Sequence, residues 1–115
     1  MPEGNFFELA GAETIAPGEI EGFALPDGRK IAVYNVSGKV FATDDTCSHG
    51  QASLSDGDLK GFHVICPFHE GSFDVRDGAP VGFPCTAPIR TYRIVEHEGR
   101  MGIYLSQDHL GVSDG

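Results

Sequence analysis

Apolar and polar residues alternate with a period of two in several short stretches of the chain. The clearest stretch places Met101, Ile103 and Leu105 in alternation with Gly102 and Tyr104, which is typical of a half-buried strand. Similar runs, rich in β-branched and aromatic residues, predict strands at residues 6–9, 31–36, 40–43, 62–65, 73–75 and 92–95. No stretch keeps a helical period over three turns, so the sequence predicts an all-β fold.

Glycine-containing dipeptides separate these runs. They are Asp27-Gly28, Ser37-Gly38, Asp77-Gly78 and Glu98-Gly99. Glycine adopts the positive φ that tight hairpin turns require. We therefore expect a mostly antiparallel meander, folded into stacked small sheets or a partial barrel.

Length and composition indicate one small domain. The 115 residues are 40% hydrophobic and carry a formal net charge of −9. We expect residues 1–115 to form a single domain, with a polar tail at 107–115. The negative charge disfavours nucleic acid and anionic membrane surfaces as partners. Because no secretory signal or membrane span is evident, we expect a cytoplasmic protein.

The residues with the most chemical information are cysteines and histidines in two short motifs. Cys47-Ser48-His49 is followed, after 16 intervening residues, by Cys66-Pro67-Phe68-His69. Each motif follows a predicted strand, so we expect two binding loops, at about 44–52 and 66–73. Loops on neighbouring strands could close on one metal site.

Two thiolates and two imidazoles suit either a tetrahedral zinc ion or a two-iron cluster. Composition alone leaves both alternatives open. The spacing favours the cluster, because structural zinc motifs usually group cysteine with cysteine and histidine with histidine. Here each motif supplies one residue of each type.

At these motifs the chain resembles the Rieske 2Fe-2S family. The resemblance extends from the strand at 40–42 through Cys66-Pro67-Phe68-His69 and the 72–75 segment to residues 89–94. It implies the Rieske fold, an all-β arrangement with a two-loop cluster-binding tip, and one 2Fe-2S cluster. It further implies that Cys47 and Cys66 ligate the buried iron, and that His49 and His69 ligate the outer iron.

Departures from the high-potential members of that family refine the expectation. Ala52 and Phe68 occupy the places of two cysteines that form a disulfide there, and Gly71 and Phe73 replace a serine and a tyrosine that donate hydrogen bonds to sulfur. Fewer such hydrogen bonds, together with an acidic surface, lower the reduction potential. We expect a potential near the low end of the Rieske range, about −150 mV.

The resemblance therefore narrows to the ferredoxin components of bacterial aromatic-ring dioxygenase systems, of the biphenyl, toluene or carbazole type. It implies a monomeric electron carrier between an NAD(P)H-dependent flavoprotein reductase and a terminal oxygenase that holds a Rieske cluster and mononuclear iron. The chain has no room for a catalytic iron domain and no glycine-rich nucleotide motif, so it is not expected to be an enzyme. Alternatives are a small Rieske subunit of a nitrite reductase or other oxygenase system, and a structural zinc module that mediates protein contacts.

Several further residues are candidates for supporting roles. Residues 82–84 could form an apolar cap over the cluster or a plain loop with Phe83 in the core. Cys85 is interpreted as a free thiol, or alternatively as a replacement ligand in a zinc site with Cys66 and His69. His63 is interpreted as a surface or hydrogen-bonded histidine rather than a ligand. Negative charge near the ligand loops comes from Asp44, Asp45, Asp56, Asp58, Glu70 and Asp74. These carboxylates could orient basic partners, although ordinary solvated loop charge explains them equally well.

Overall fold

A computed structural model describes residues 5–26, 28–46, 52–67, 71–82 and 88–105 of the chain. Its strands are β1 (Asn5–Glu8), β2 (Ile20–Ala24), β3 (Lys30–Val36), β4 (Lys39–Asp44), β5 (Asp58–Lys60), β6 (His63–Ile65), β7 (Ser72–Asp74), β8 (Pro80–Gly82), β9 (Thr91–Tyr92), β10 (Ile94–His97) and β11 (Arg100–Leu105). Within the described residues, the helical segments are two 3-10 turns, Ala12–Thr14 and Leu54–Asp56. None of the described helices is long and apolar enough to cross a membrane. The predicted all-β class is confirmed.

The strands form three small antiparallel sheets. One sheet has the order β1-β11-β10, the second β2-β3-β4-β9, and the third β5-β6-β7-β8. Every pairing in them is antiparallel, as predicted. The fold is not a simple meander, because β1 pairs with β11 and β4 pairs with β9.

Two hairpin turns have the backbone that their sequences predict. Ser37 and Gly38, between β3 and β4, have φ values of 54° and 96°. Glu98 and Gly99, between β10 and β11, have φ values of 54° and 79°. Positive φ at both central residues matches the right-handed twist of the flanking strands. These turns fix the register at Val36↔Lys39 and His97↔Arg100.

Strand β3 lies between two apolar clusters. Ala32, Tyr34 and Val36 belong to the first cluster, whereas Ile31 and Val33 belong to the second. Successive side chains of a strand point to opposite faces, so β3 is covered on both sides. The first cluster also contains the residues around the candidate site.

The structure contains three strands that the sequence pattern does not predict, namely β2, β5 and β8. Strand β5 is only three residues long, and two of them, Asp58 and Lys60, are exposed and charged. Strand β8 begins with a proline, which is tolerated there because β8 lies at the edge of its sheet and Pro80 is its first residue. The predicted strand at 92–95 is divided, because the chain leaves β9 at Tyr92 and enters β10 at Ile94.

Candidate metal centre

The two ends of the first predicted ligand loop lie next to each other, just after the end of β4. Thr46 forms an isolated antiparallel bridge with Ser53. The Leu54 backbone N–H donates to the Asp45 carbonyl at 2.6 Å, and the Ser55 N–H donates to Asp45 Oδ1 at 2.9 Å. These bonds close the base of the segment that carries Cys47 and His49.

The second predicted loop lies at the tip of the β6–β7 hairpin. Ile65 pairs with Ser72, and the Cys66 N–H donates to the Gly71 carbonyl at 2.7 Å. The described ends of the second loop, Cys66 and Gly71, are therefore held together by the hairpin.

The bases of the two loops are directly connected. The 3-10 turn Leu54–Asp56 follows the first loop, and Gly57 then leads into β5, where Asp58 pairs with Ile65 of the second hairpin. The contact is close, because a Cβ added to Gly57 would lie 2.0 Å from the Ile65 carbonyl oxygen. Only glycine fits this approach without movement, so the exit of the first loop and the entrance of the second are held side by side.

Cys66 stands at this junction and is shielded from water. Its exposed fraction is 2%, and it belongs to the apolar cluster that contains Leu54, Val64 and Phe73, each 0% exposed. A neutral thiol is an ordinary core residue, but a thiolate at this place would need a metal or another partner to offset its charge. The residues present therefore fit a group whose cysteine-bound metal is buried at the junction of the loops.

The structure tests only one of the four predicted ligands directly. Cys66 lies within the described residues, whereas Cys47, His49 and His69 lie outside them. The predicted cap at 82–84 is described only at Gly82, and Cys85 also lies outside. His63 is exposed on β6, as predicted for a surface residue.

The acidic residues predicted near the loops differ in their exposure to solvent. Asp56 and Asp58 are exposed and Asp44 is half-buried, whereas Asp45 and Asp74 are buried. Glu70 lies outside the described residues. The interpretation of Asp45 and Asp74 as solvated loop charges is wrong, since both carboxylates accept hydrogen bonds from the protein itself.

An ion pair supports the end of the second hairpin. Arg76 Nη2 lies 2.7 Å from Asp74 Oδ2, and the Arg76 backbone N–H donates to Asp74 Oδ1 at 2.9 Å. The Arg76 guanidinium also lies 4.1 Å from the centre of the Phe62 ring, which meets the Phe41 ring edge to face at 5.9 Å. The sequence analysis did not predict these contacts of Arg76. A signal was present, because an aspartate side chain often accepts a hydrogen bond from the backbone N–H two residues later, as Asp74 does from Arg76.

The end of β4 is supported by β9. The Tyr92 hydroxyl donates to Asp44 Oδ1 at 2.5 Å, and the Asp44 N–H donates to the Arg90 carbonyl at 2.9 Å. Burial, with the Asp44 carboxylate as the next cause, raises the pKa of Tyr92 to about 12. Tyr92 therefore stays protonated and remains a donor throughout the neutral range.

Three basic side chains line a cleft beside Thr46. Its volume is about 450 Å³. Its lining includes Arg29, Lys30 and Arg90 together with the carboxylate of Asp44. The lining of this cleft is thus locally positive on a chain whose formal net charge is −9.

Comparison with known proteins gives consistent matches. The model of the family described as Rieske [2Fe-2S] domain matches residues 5–93. The ferredoxin component of the p-cumate 2,3-dioxygenase system of Pseudomonas putida is 45% identical over 94 residues, covering 81% of this chain and 80% of that protein.

Two solved structures match the fold. Sphingomonas yanoikuyae B1 ferredoxin has a TM-score of 0.83 at 40% identity, covering 88% of this chain and 99% of that chain. A chain in the complex of reduced oxygenase and oxidized ferredoxin in carbazole 1,9a-dioxygenase has a TM-score of 0.81 at 37% identity, covering 86% and 92%.

Proposed function

This chain belongs to the Rieske 2Fe-2S family, and we propose that it is a ferredoxin carrying single electrons to the terminal oxygenase of an aromatic-ring dioxygenase system. The observation that carries the proposal is the junction of the two loop bases around buried Cys66. The relatives named above are ferredoxins or ferredoxin components, so the role is electron transfer rather than catalysis.

We assign Cys47 and Cys66 to the inner iron of one 2Fe-2S cluster, and His49 and His69 to the outer iron. When bound, such a cluster supplies reversible one-electron oxidation and reduction. The burial of Cys66 supports its place on the inner iron. The apolar cluster around it excludes water on that side.

The same proposal includes two protein partners. The carbazole relative is described in a complex with its oxygenase, which supports a terminal oxygenase as the electron acceptor. A flavoprotein reductase that oxidises NAD(P)H is the proposed electron donor, since an isolated one-electron carrier needs one. We place the protein in the cytoplasm as a monomer, with residues 1–115 forming one domain.

The proposed reduction potential is low. Phe73 is 0% exposed, and it offers an apolar ring where a tyrosine hydroxyl would stabilise the reduced cluster. Gly71 uses its carbonyl to accept the Cys66 N–H and has no side chain to donate towards sulfur. A potential of about −150 mV suits a carrier that is reduced by a flavin.

A spectroscopic measurement tests the function. Anaerobic absorption and EPR spectra before and after dithionite, with iron and acid-labile sulfide counted on the same sample, should show two irons, two sulfides and a reduced signal with an average g below the free-electron value. Colourless protein with stoichiometric zinc would instead establish a structural module.

Matched variants test the ligand assignments. His69→Ala and Cys66→Ser should abolish the reduced EPR signal. His63→Ala, on the exposed face of β6 three residues before Cys66, and Cys85→Ser should retain it. A retained cluster in His69→Ala would contradict the assignment of His69.

A further inference from the structure

We propose that Asp45 is a positioning residue for the first ligand loop, and that its carboxylate supplies a fixed negative charge that lowers the reduction potential. This inference rests on the proposed function, because it concerns the cluster that Cys47 and His49 would help to hold. It assigns two separable tasks to one side chain, closure of the loop base and electrostatic tuning.

The closure task follows from three hydrogen bonds. The Asp45 N–H donates to the Lys30 carbonyl at 3.0 Å, which fixes the residue to β3. Its carbonyl accepts the Leu54 N–H at 2.6 Å, and its Oδ1 accepts the Ser55 N–H at 2.9 Å. Asp45 therefore joins the entrance of the loop to its exit with both backbone and side chain.

The charge task follows from the identity of the side chain. Asp45 is 4% exposed, and burying a carboxylate is costly unless donors compensate it. Asparagine has nearly the same shape and could accept the Ser55 N–H through its carbonyl oxygen without that cost. A negative charge at this position therefore contributes something that the hydrogen bond alone does not require.

The field of this carboxylate extends into the protein. Burial is the main cause of the raised pKa of the Tyr34 hydroxyl, the hydrogen bond with Thr43 opposes it, and the carboxylates of Asp45 and Asp44 add smaller contributions that raise it. A buried charge is weakly screened by solvent.

Asp45 is also close to the proposed cluster along the chain. It precedes Cys47, one of the proposed ligands, by two residues in the sequence. Reduction adds one negative charge to the cluster, and a neighbouring carboxylate repels that charge. The sign is therefore fixed, and the Asp45 carboxylate must make reduction harder.

Neighbouring cations reduce this effect but do not reverse its sign. Arg29, Lys30 and Arg90 line the cleft beside Thr46, and Asp44 contributes an opposing carboxylate there. Removing the charge of Asp45 leaves these groups unchanged. The difference between variants therefore measures the contribution of Asp45 itself.

The experiment compares Asp45→Asn, Asp45→Ala and Asp45→Glu with Asp56→Asn, which removes an exposed charge from the adjacent 3-10 turn. In Asp45→Asn we expect the reduced-to-oxidised ratio at a fixed applied potential to rise about threefold to tenfold, where tenfold corresponds to 59 mV. Asp56→Asn should change that ratio less than twofold. Asp45→Glu should restore most of the wild-type ratio.

Asp45→Ala removes the acceptor of the Ser55 N–H as well as the charge. We expect it to show the same rise in the ratio, broader EPR lines, and cluster loss on exposure to air at least three times faster than in Asp56→Asn. Equal ratios in Asp45→Asn and Asp56→Asn would overturn the charge role. Equal cluster lifetimes in Asp45→Ala and Asp56→Asn would overturn the closure role.

The wild-type protein separates this inference from the function on which it rests. If the wild type holds no 2Fe-2S cluster, the proposed function fails. If the wild type holds the cluster and the Asp45 variants behave like Asp56→Asn, only the role of Asp45 fails.

Discussion

Arg76 binds both carboxylate oxygens of Asp74, with Nε 3.0 Å from Oδ1 and Nη2 2.7 Å from Oδ2. Paired contacts of this kind give more geometric definition than a single ion pair. They lie immediately after β7, the strand that carries the chain away from the second loop. The pair therefore helps to define the hairpin on which Cys66 is placed.

This pair predicts a specific response to acid. The hydrogen bonds from Arg76 hold the pKa of Asp74 below its ordinary value of 3.8. A carboxyl whose pKa is lowered by folding stabilises the native state above its ordinary pKa, and this contribution disappears as the pH falls through the folded value. Compared with Asp74→Asn, the wild type should lose more stability as the pH falls below about 4.

Denaturant unfolding at neutral and acidic pH measures this difference. At neutral pH Asp74→Asn should be less stable by about 1 kcal/mol. Asp77→Asn, which removes a carboxylate from the same turn, provides the control. A constant difference between the wild type and Asp74→Asn at both pH values would contradict the prediction.

The close contact between Gly57 and Ile65 predicts that a larger residue at position 57 would disturb the bases of both loops. A Cβ at this position would lie 2.0 Å from the Ile65 carbonyl oxygen, so Gly57→Ala must push β5 away from β6. We expect a loss of about 2 kcal/mol together with reduced cluster loading. Gly61→Ala is the comparison, because Gly61 has open space around it and φ +60, and its strain should cost only about 1 kcal/mol.

Iron content and urea midpoints of the two glycine variants distinguish these effects. If Gly61→Ala lost as much bound iron as Gly57→Ala, general destabilisation of the fold would explain the loss. The spacing between the loops would then have no special role.

The strands with strong alternation could be predicted because their pattern reports burial on one face. Residues 40–43 and 101–105 correspond closely to β4 and β11. Strands β5 and β8 could not be predicted, because each has a single apolar residue: Leu59 between two charged residues in β5, and Val81 between a proline and a glycine in β8. Pairing with β6 and β7 defines these two strands, and that information is not local.

The candidate site divides in a similar way. The ligand types and their spacing are local features, so the motifs at Cys47 and Cys66 could be recognised directly. The contact between Gly57 and Ile65 and the capping by Asp45 depend on tertiary structure. A charged residue beside a motif gives no sequence signal that separates a buried acceptor from a solvated side chain.

Tyr92 predicts a response at high pH. Its pKa is raised to about 12 from an ordinary value of 10.0, chiefly by burial and then by Asp44. The unfolded chain releases this proton first, so the contribution to stability is complete below pH 10, falls above it, and is lost as the pH passes the folded pKa.

An ultraviolet titration of tyrosinate tests this response. The signal that disappears in Tyr92→Phe should have its midpoint near pH 12, and the variant should be about 1 kcal/mol less stable at neutral pH because Asp44 loses a donor. A midpoint at the ordinary tyrosine value would show that the hydroxyl is exposed.

Phe73 predicts a change in the redox property itself. Its ring is buried in the same apolar cluster of side chains as Cys66. The family resemblance places a tyrosine that donates a hydrogen bond at this position in high-potential proteins. Phe73→Tyr should raise the midpoint potential, because a hydroxyl that donates to a sulfur stabilises the added negative charge. Phe41→Tyr introduces a hydroxyl at the edge of the apolar cluster of side chains and should leave the midpoint potential unchanged. Protein-film voltammetry measures the midpoint potentials of the two variants and the wild type. Equal potentials in Phe73→Tyr and the wild type would show that the low value does not depend on the missing hydroxyl at residue 73.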